Sequence, residues 1–84
     1  MPRVKLFATL VEIANKREVV IEDAKTAREV LDKLKGLYGP SFEKELEHGM
    51  IFLVNGRDIT HLQGLDTPVG KDDVISLFPP IGGG

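Results

Sequence analysis

Over residues 4–10 (VKLFATL) the side chains alternate, with Val4, Leu6 and Ala8 on one side and Lys5, Phe7 and Thr9 on the other. That period of two predicts a strand, with Phe7 turned away from the core set. After a polar turn at Asn15-Lys16-Arg17 comes the short β-branched run Glu18-Val19-Val20-Ile21-Glu22. It predicts a second strand, hairpinned antiparallel to the first.

Thr26 and Glu29 have the spacing of a capping box, in which the Thr hydroxyl accepts from the Glu29 N–H and the Glu carboxylate reaches back to the N–H of Thr26. A helix should start there. Ala27, Val30, Leu31, Leu34 and Tyr38 follow at steps of three and four as one apolar stripe, while Arg28, Glu29, Asp32, Lys33 and Lys35 face water. Gly39-Pro40 is the expected stop, Gly supplying a left-handed cap and Pro preventing continuation.

Residues 50–54 (MIFLV) form a continuous apolar run that ends in Asn55-Gly56, a pair suited to the positive φ angles of a tight hairpin. This predicts a buried central strand and a turn. Residues 57–73 are loop-rich, broken by Gly64, Pro68 and Gly70, with Ile59, Leu62, Leu65 and Val69 placed to plug the edge of the core. Residues 74–78 (VISLF) read as the last strand, and Pro79-Pro80 ends it by removing two ladder donors.

Strand, strand, helix, strand, loop and strand, in that order, predict an α+β chain with the β-grasp arrangement: one main helix packed across a mixed sheet of about four or five strands. The first and last strands would be parallel neighbours. Residues 1–80 would form the domain, and 81–84 a flexible C-terminal glycine tail.

An 84-residue chain falls below the usual domain size of roughly 100–150 residues, so it has one modest core and little chain to enclose a pocket with a lid. Chemistry is expected at the surface, at a terminus or in a complex. Lysine and arginine number 11 against 13 aspartates and glutamates, a net charge of −2 without blocks, which does not support nucleic-acid binding by charge alone. The absence of cysteine excludes disulfides, zinc-thiolate sites and a persulfide on this chain. No segment approaches the roughly 20 apolar residues needed to span a bilayer, so the expected location is cytoplasmic.

Side-chain catalysis finds little support. His48 sits in an acidic stretch and His61 in a loop, neither at a metal-ligand or catalytic spacing, and both read as surface or structural residues. Asp72-Asp73 reads as a turn former before the last strand. No Ser-His-Asp set, phosphate loop or dinucleotide fingerprint is visible.

What remains is the tail, Phe78-Pro79-Pro80-Ile81-Gly82-Gly83-Gly84. Two prolines favour an extended exit from the sheet, and three glycines then carry the carboxylate on backbone without side chains. At about 3.3 Å per residue, the stretch from Pro80 to Gly84 reaches roughly 16 Å, enough to enter a narrow site in another protein. A carboxylate is a poor electrophile until joined to AMP; a sulfur nucleophile can then displace AMP and leave a thiocarboxylate. A plain chain end remains the other reading of the glycines.

Phe7-Ala8, Val54-Asn55-Gly56, Leu65-Asp66-Thr67-Pro68-Val69, Asp72-Asp73-Val74 and above all Phe78-Pro79-Pro80-Ile81 with its glycines resemble segments of the MoaD/ThiS family of ubiquitin-like sulfur carriers. The likeness covers the whole chain and is strongest to the MoaD branch, the small subunit of molybdopterin synthase. It implies that an ATP-using, ubiquitin-activating-type enzyme (MoeB-like) adenylates the last glycine and that sulfur is then delivered to it. The large synthase subunit (MoaE-like) would use the thiocarboxylate to build the molybdopterin dithiolene of the molybdenum or tungsten cofactor. It further implies Gly84 as the modified residue beside Gly83, a docking surface of Phe7, Phe78, Pro79, Pro80, Ile81 and Gly82, and no cofactor held stably, ATP being used by the activating partner.

The chain departs from the family pattern in two places. Gly70-Lys71 stands where the family has an Asp-Gly turn, and a third glycine leaves two registers open for the reactive end, Gly83 or Gly84. Thiolation of transfer RNA or thiazole, isopeptide linkage to protein lysines, and a β-grasp interaction module with an inert tail are the alternatives.

Overall fold

The computed structural model describes residues 1–80. Strand β1 (Arg3–Leu6) is followed by helix α1 (Thr9–Ala14), strand β2 (Glu18–Val20), helix α2 (Ala27–Tyr38), helix α3 (Pro40–Glu45), strand β3 (Ile51–Val54), the short strand β4 (Arg57–Asp58) and strand β5 (Val74–Phe78). Two single 3₁₀ turns, Ile59–His61 and Gly64–Asp66, lie between β4 and β5. The five strands form one mixed sheet in the order β2-β1-β5-β3-β4, with β1 parallel to β5 and the other pairs antiparallel. With α2 packed across it, this is the β-grasp, ubiquitin-like architecture that the order of elements predicts.

Period-two burial explains how the layers join. Val4, Leu6, Phe52, Val54, Ile75 and Leu77 are buried, and the register pairs Val4 with Ile75, Leu6 and Phe52 with Leu77, and Val54 with Ile75. Onto that face α2 lays Ala27, Val30, Leu31 and Leu34, all buried. Each such Leu, Ile, Val or Phe contributes about 1.5–3 kcal/mol on leaving water.

Thr26 caps α2 as expected, its Oγ1 accepting from the Glu29 N–H at 3.2 Å. The reciprocal bond differs: Glu29 Oε1 accepts from the N–H of Lys25 at 3.1 Å, not from that of Thr26. Gly39 ends α2 with φ 77° and ψ −161°, so its φ is positive but its ψ is extended rather than helical. Pro40 does not stop helix formation; it occupies the first turn of α3, where its missing N–H would have had no partner anyway. Phe42, one residue pair further on, is wholly buried against Tyr38, ring centroids 5.5 Å apart.

The largest correction is near the N-terminus. β1 stops at Leu6 rather than residue 10, because Ala8 turns the chain with φ 55° and ψ −132°. Ala8 is exposed, not on the core side, and α1 replaces the expected direct hairpin. Leu10 and Ala14 are the buried residues of that helix. In the 57–73 segment Ile59 and Val69 are buried plugs, while Leu62 and Leu65 are half-buried. The expectation of a flexible tail over 81–84 falls outside the described residues.

Candidate functional site at the end of the last strand

β5 lies between β1 and β3, so its C-terminal end leaves the middle of the sheet. The parallel register sets Leu6 beside Leu77 and brings the next residues, Phe7 and Phe78, together on the open face. Their rings stack at 4.2 Å between centroids with 15° between planes. Both are half-buried. An aromatic pair of this kind is worth about 0.5–1.5 kcal/mol beyond its buried area.

The turn after Phe7 keeps that ring in place. Phe7 and Ala8 carbonyls accept from the N–H groups of Leu10 and Val11 at 3.2 and 3.1 Å, coupling the aromatic residue to the first turn of α1. Leu10 anchors the helix in the core, and Thr9 Oγ1 donates to Glu45 Oε1 of α3 at 2.7 Å. Beside Phe7 opens a shallow depression lined by Lys5, Leu6, Ala8, Val11, Arg17 and Glu18. Past Phe78, Pro79 is buried and Pro80 exposed, so the first proline fastens the strand end and the second stands at the surface.

The other end of β5 is held by a side-chain network. Asn55 donates through Nδ2 to Asp73 Oδ1 at 2.8 Å and accepts through Oδ1 from the Val74 N–H at 2.9 Å. Asp73 Oδ2 accepts from the Gly70 N–H at 2.6 Å. Asp73 thus shapes the turn before the last strand, and Asn55, at φ 50° in the β3–β4 turn, pins that turn to β5. The fixed start of β5 determines where its end emerges.

Side-chain chemistry has no assembled constellation among the described residues. His48 and His61 are exposed, and no group of three His, Cys, Asp or Glu residues is placed to hold a metal ion. Asp58 has its carboxyl held below the ordinary range, first by the backbone N–H of Thr60 and then by the Thr60 hydroxyl; it caps the 3₁₀ turn. Burial pushes the Tyr38 hydroxyl up. No described helix is long and apolar enough to cross a membrane.

Of the residues singled out in the sequence, Phe7, Phe78, Pro79 and Pro80 come together at one end of the sheet, while Ile81, Gly82, Gly83 and Gly84 lie outside the described residues. Sequence reasoning missed the neighbours that widen this surface. Ile51 and Leu53 of β3 are half-buried on the open face, with Ile51 directly opposite Phe78 and Leu53 opposite Ser76. A continuous apolar run gives no period-two signal, so it reads as a strand covered on both faces.

The fold and the surface gathered around the end of β5 define a small β-grasp protein of the ubiquitin-like class. A family comparison is more specific: the ThiS family model matches residues 4–84, and the chain belongs to that family of ubiquitin-like sulfur carriers and modifiers. Small archaeal modifier protein 3 of Haloferax volcanii is 31% identical over 87 residues, covering 95% of both proteins. The solution structure of small archaeal modifier protein 1 from Methanosarcina acetivorans superposes with a TM-score of 0.83 at 32% identity, over 99% of this chain and 95% of that one. Urm1 of Sulfolobus solfataricus gives 0.71 at 25% identity, over 94% and 100%.

Proposed function

We propose that this chain is a sulfur carrier whose working group is the C-terminal carboxylate of Gly84, presented past Phe78-Pro79-Pro80-Ile81-Gly82-Gly83. An adenylating enzyme of the ubiquitin-activating, MoeB-like type binds ATP and joins the carboxylate to AMP, releasing pyrophosphate. A sulfur nucleophile then attacks the acyl carbon, the bond to AMP breaks, and the thiocarboxylate remains. The carrier supplies no side-chain catalyst and holds no stable cofactor of its own. Its contribution is an end group without a Cβ to obstruct the incoming nucleotide or nucleophile.

The observation that carries this reading is the stacked Phe7–Phe78 pair at the root of the tail, continuous with half-buried Ile51 and Leu53. It supplies a docking face next to the chain that a partner must receive. Pro80, exposed at the exit, adds to that face. In this reading the carrier works in the cytoplasm as the small subunit of molybdopterin synthase, and a MoaE-like large subunit takes sulfur from it for the pyranopterin dithiolene. The Phe-Pro-Pro-Ile-Gly-Gly run supports that destination over thiolation of transfer RNA or thiazole.

A second reading has its own support, because the 31% identical relative is a modifier protein. The same acyl adenylate, transferred to a lysine amine, gives an isopeptide bond with loss of AMP. The activation step common to both readings is tested by incubating the chain with its cognate activating enzyme, ATP and a sulfur donor. Its mass should rise by the difference between sulfur and oxygen, and a form with an amidated C-terminus should stay unchanged; an unchanged free form would contradict the proposal. Loss of molybdopterin on gene deletion favours the first destination, and loss of lysine conjugates favours the second.

A further inference from the structure

At the opposite end of β5 from Phe78, the β3–β4 hairpin faces the chain that runs through the second 3₁₀ turn. Val54 and Arg57 are register partners across the hairpin, so Arg57 leaves the sheet on the same side as buried Val54. The Asn55 N–H donates to the Val74 carbonyl at 2.8 Å and ties the hairpin to the start of β5. On the facing wall the backbone of Thr67 is fixed at both ends. Its N–H donates to the Gly64 carbonyl at 3.0 Å, and its carbonyl accepts from the Ala27 N–H of α2 at 3.0 Å. Pro68, next in the chain, is bridged to Thr26.

Between these two fixed walls lies a depression of about 340 Å³, at the small end of the range of roughly 300–1,000 Å³ that ligand sites occupy. Val54, Leu62 and Pro68 give it apolar surface, and Arg57, Gln63 and Thr67 give it donors. Among the described residues Thr67 is the one buried polar side chain, 4% exposed. Its Oγ1 accepts from the Gln63 N–H at 3.0 Å, while its hydroxyl proton goes to no acceptor among the described residues. A buried hydroxyl gains from spending that proton, and the depression is the side on which a ligand can take it.

Charge is the second, independent observation. The neighbouring carboxylates are all engaged elsewhere: Asp58 accepts from the Thr60 N–H and hydroxyl, both at 2.9 Å, and Asp66 accepts from Arg28 at 3.1 Å. Asp73 accepts from Asn55 at 2.8 Å and from the Gly70 N–H at 2.6 Å. Among the described residues the ion pairs are Arg3–Glu18 and Arg28–Asp66, so the Arg57 guanidinium holds no carboxylate. No acidic side chain lines the depression. A guanidinium fork and a hydroxyl proton beside apolar walls match a group that only accepts, and a single cation matches a single charge.

We infer that this depression binds a carboxylate carried on a short branched apolar group, with Arg57 and Thr67 holding the carboxylate and Leu62, Val54 and Pro68 holding the apolar part. A free small acid and the C-terminus of a peptide ending in an apolar residue share that chemistry. The site lies at the far end of the sheet from Phe7 and Phe78 and uses no atom of Gly84. It therefore stands apart from the proposed sulfur chemistry, and an occupant leaves the tail end of β5 open to a partner.

The test is a titration of the isotope-labelled full chain with isocaproate and, separately, with acetyl-Gly-Leu bearing a free carboxylate, followed by backbone amide shifts. Saturable shifts confined to residues 54–57 and 62–67 are expected from at least one of them. Tighter binding of isocaproate assigns the site to free acids, and tighter binding of acetyl-Gly-Leu assigns it to chain ends. Acetyl-Gly-Leu-amide should bind at least about tenfold more weakly than the free carboxylate, as loss of a hydrogen bond to a charged group implies. Arg57→Gln should weaken the carboxylate probes by a similar factor while leaving the melting temperature nearly unchanged, because the side chain is exposed. Thr67→Val should weaken them too, and Thr67→Ser, which keeps the hydroxyl, should not. No saturable shift at millimolar probe, equal binding of the amide, the same shifts from sulfate at equal concentration, or full binding by Arg57→Gln would each overturn the assignment.

Discussion

The two faces of the sheet are built from the same five strands and are treated in opposite ways. On the inner face, Val4, Leu6, Phe52, Val54, Ile75 and Leu77 are buried under α2, and their burial stabilises the fold. On the outer face, Ile51, Leu53, Val74, Ser76, Phe7 and Phe78 are only half-covered. Apolar side chains left half-exposed at a sheet surface add less to folding than fully buried ones, and the proposed function uses them as a docking face. The inner face holds the strands in register, and the register delivers Phe7 to Phe78.

That contrast predicts its largest effect at adjacent residues of one strand. Phe52→Ala, on the inner face, should cost about 3–5 kcal/mol in urea unfolding, and Leu53→Ala, one residue later on the outer face, no more than about half as much. Equal losses would mean that the outer face is part of the core. Phe78→Ala should be milder for stability, about 1–2 kcal/mol, the lost stacking plus part of its buried area. Its main effect should appear in kcat/KM for adenylation by the activating enzyme, reduced at least about tenfold as befits an aromatic anchor at an interface.

A smaller change sharpens the comparison from the other direction. Ala8 pays backbone strain of order 1–3 kcal/mol at φ 55°, in a region that glycine adopts without penalty. Ala8→Gly should therefore stabilise the protein by up to about 1 kcal/mol, after the entropy that glycine loses on folding. Calorimetry would read this as a rise in melting temperature of a few degrees. If the substitution also loosens the Phe7 ring, the adenylation rate should fall while stability rises.

The smallest effect is expected at Asp58, the last residue of the edge strand β4. Its carboxyl is held below the ordinary value by the Thr60 N–H and then the Thr60 hydroxyl. A depressed folded-state value stabilises the protein above the unfolded value, and that contribution is lost as pH falls through the folded one. Asp58→Asn should thus lower stability slightly at neutral pH and leave it nearly unchanged at acid pH, so that the acid limb flattens. Because the carboxyl stays open to solvent screening, a large effect at neutral pH would contradict this account of its role.

Much of this arrangement was legible in the sequence, for reasons that are local. The capping spacing of Thr26 and Glu29, the apolar stripe of α2, the Asn55-Gly56 turn and the alternation of residues 74–78 each carry a physical signal within a few residues. Two short helices were not read. Residues 4–10 keep a strand-like alternation to the end, but the backbone turns at Ala8; the later spacing of Leu10, Ile13 and Ala14 was the available helical signal. At Pro40 the same residue that forbids a helix interior favours a helix start, and the buried Phe42 decides between them only through tertiary packing. The openness of the outer face could not be read either, since Ile51 and Leu53 look buried in any apolar run.

The proposal at Gly84 depends on a reactive carbonyl at the very end of the chain, and the intact mass of the protein purified from its own cells addresses it most directly. The account predicts a species ending at Gly84, accompanied by one heavier by the replacement of an oxygen with sulfur or by forms joined through that residue to a lysine. A protein that works in the cell with further residues, or a permanent blocking group, beyond Gly84 would contradict it.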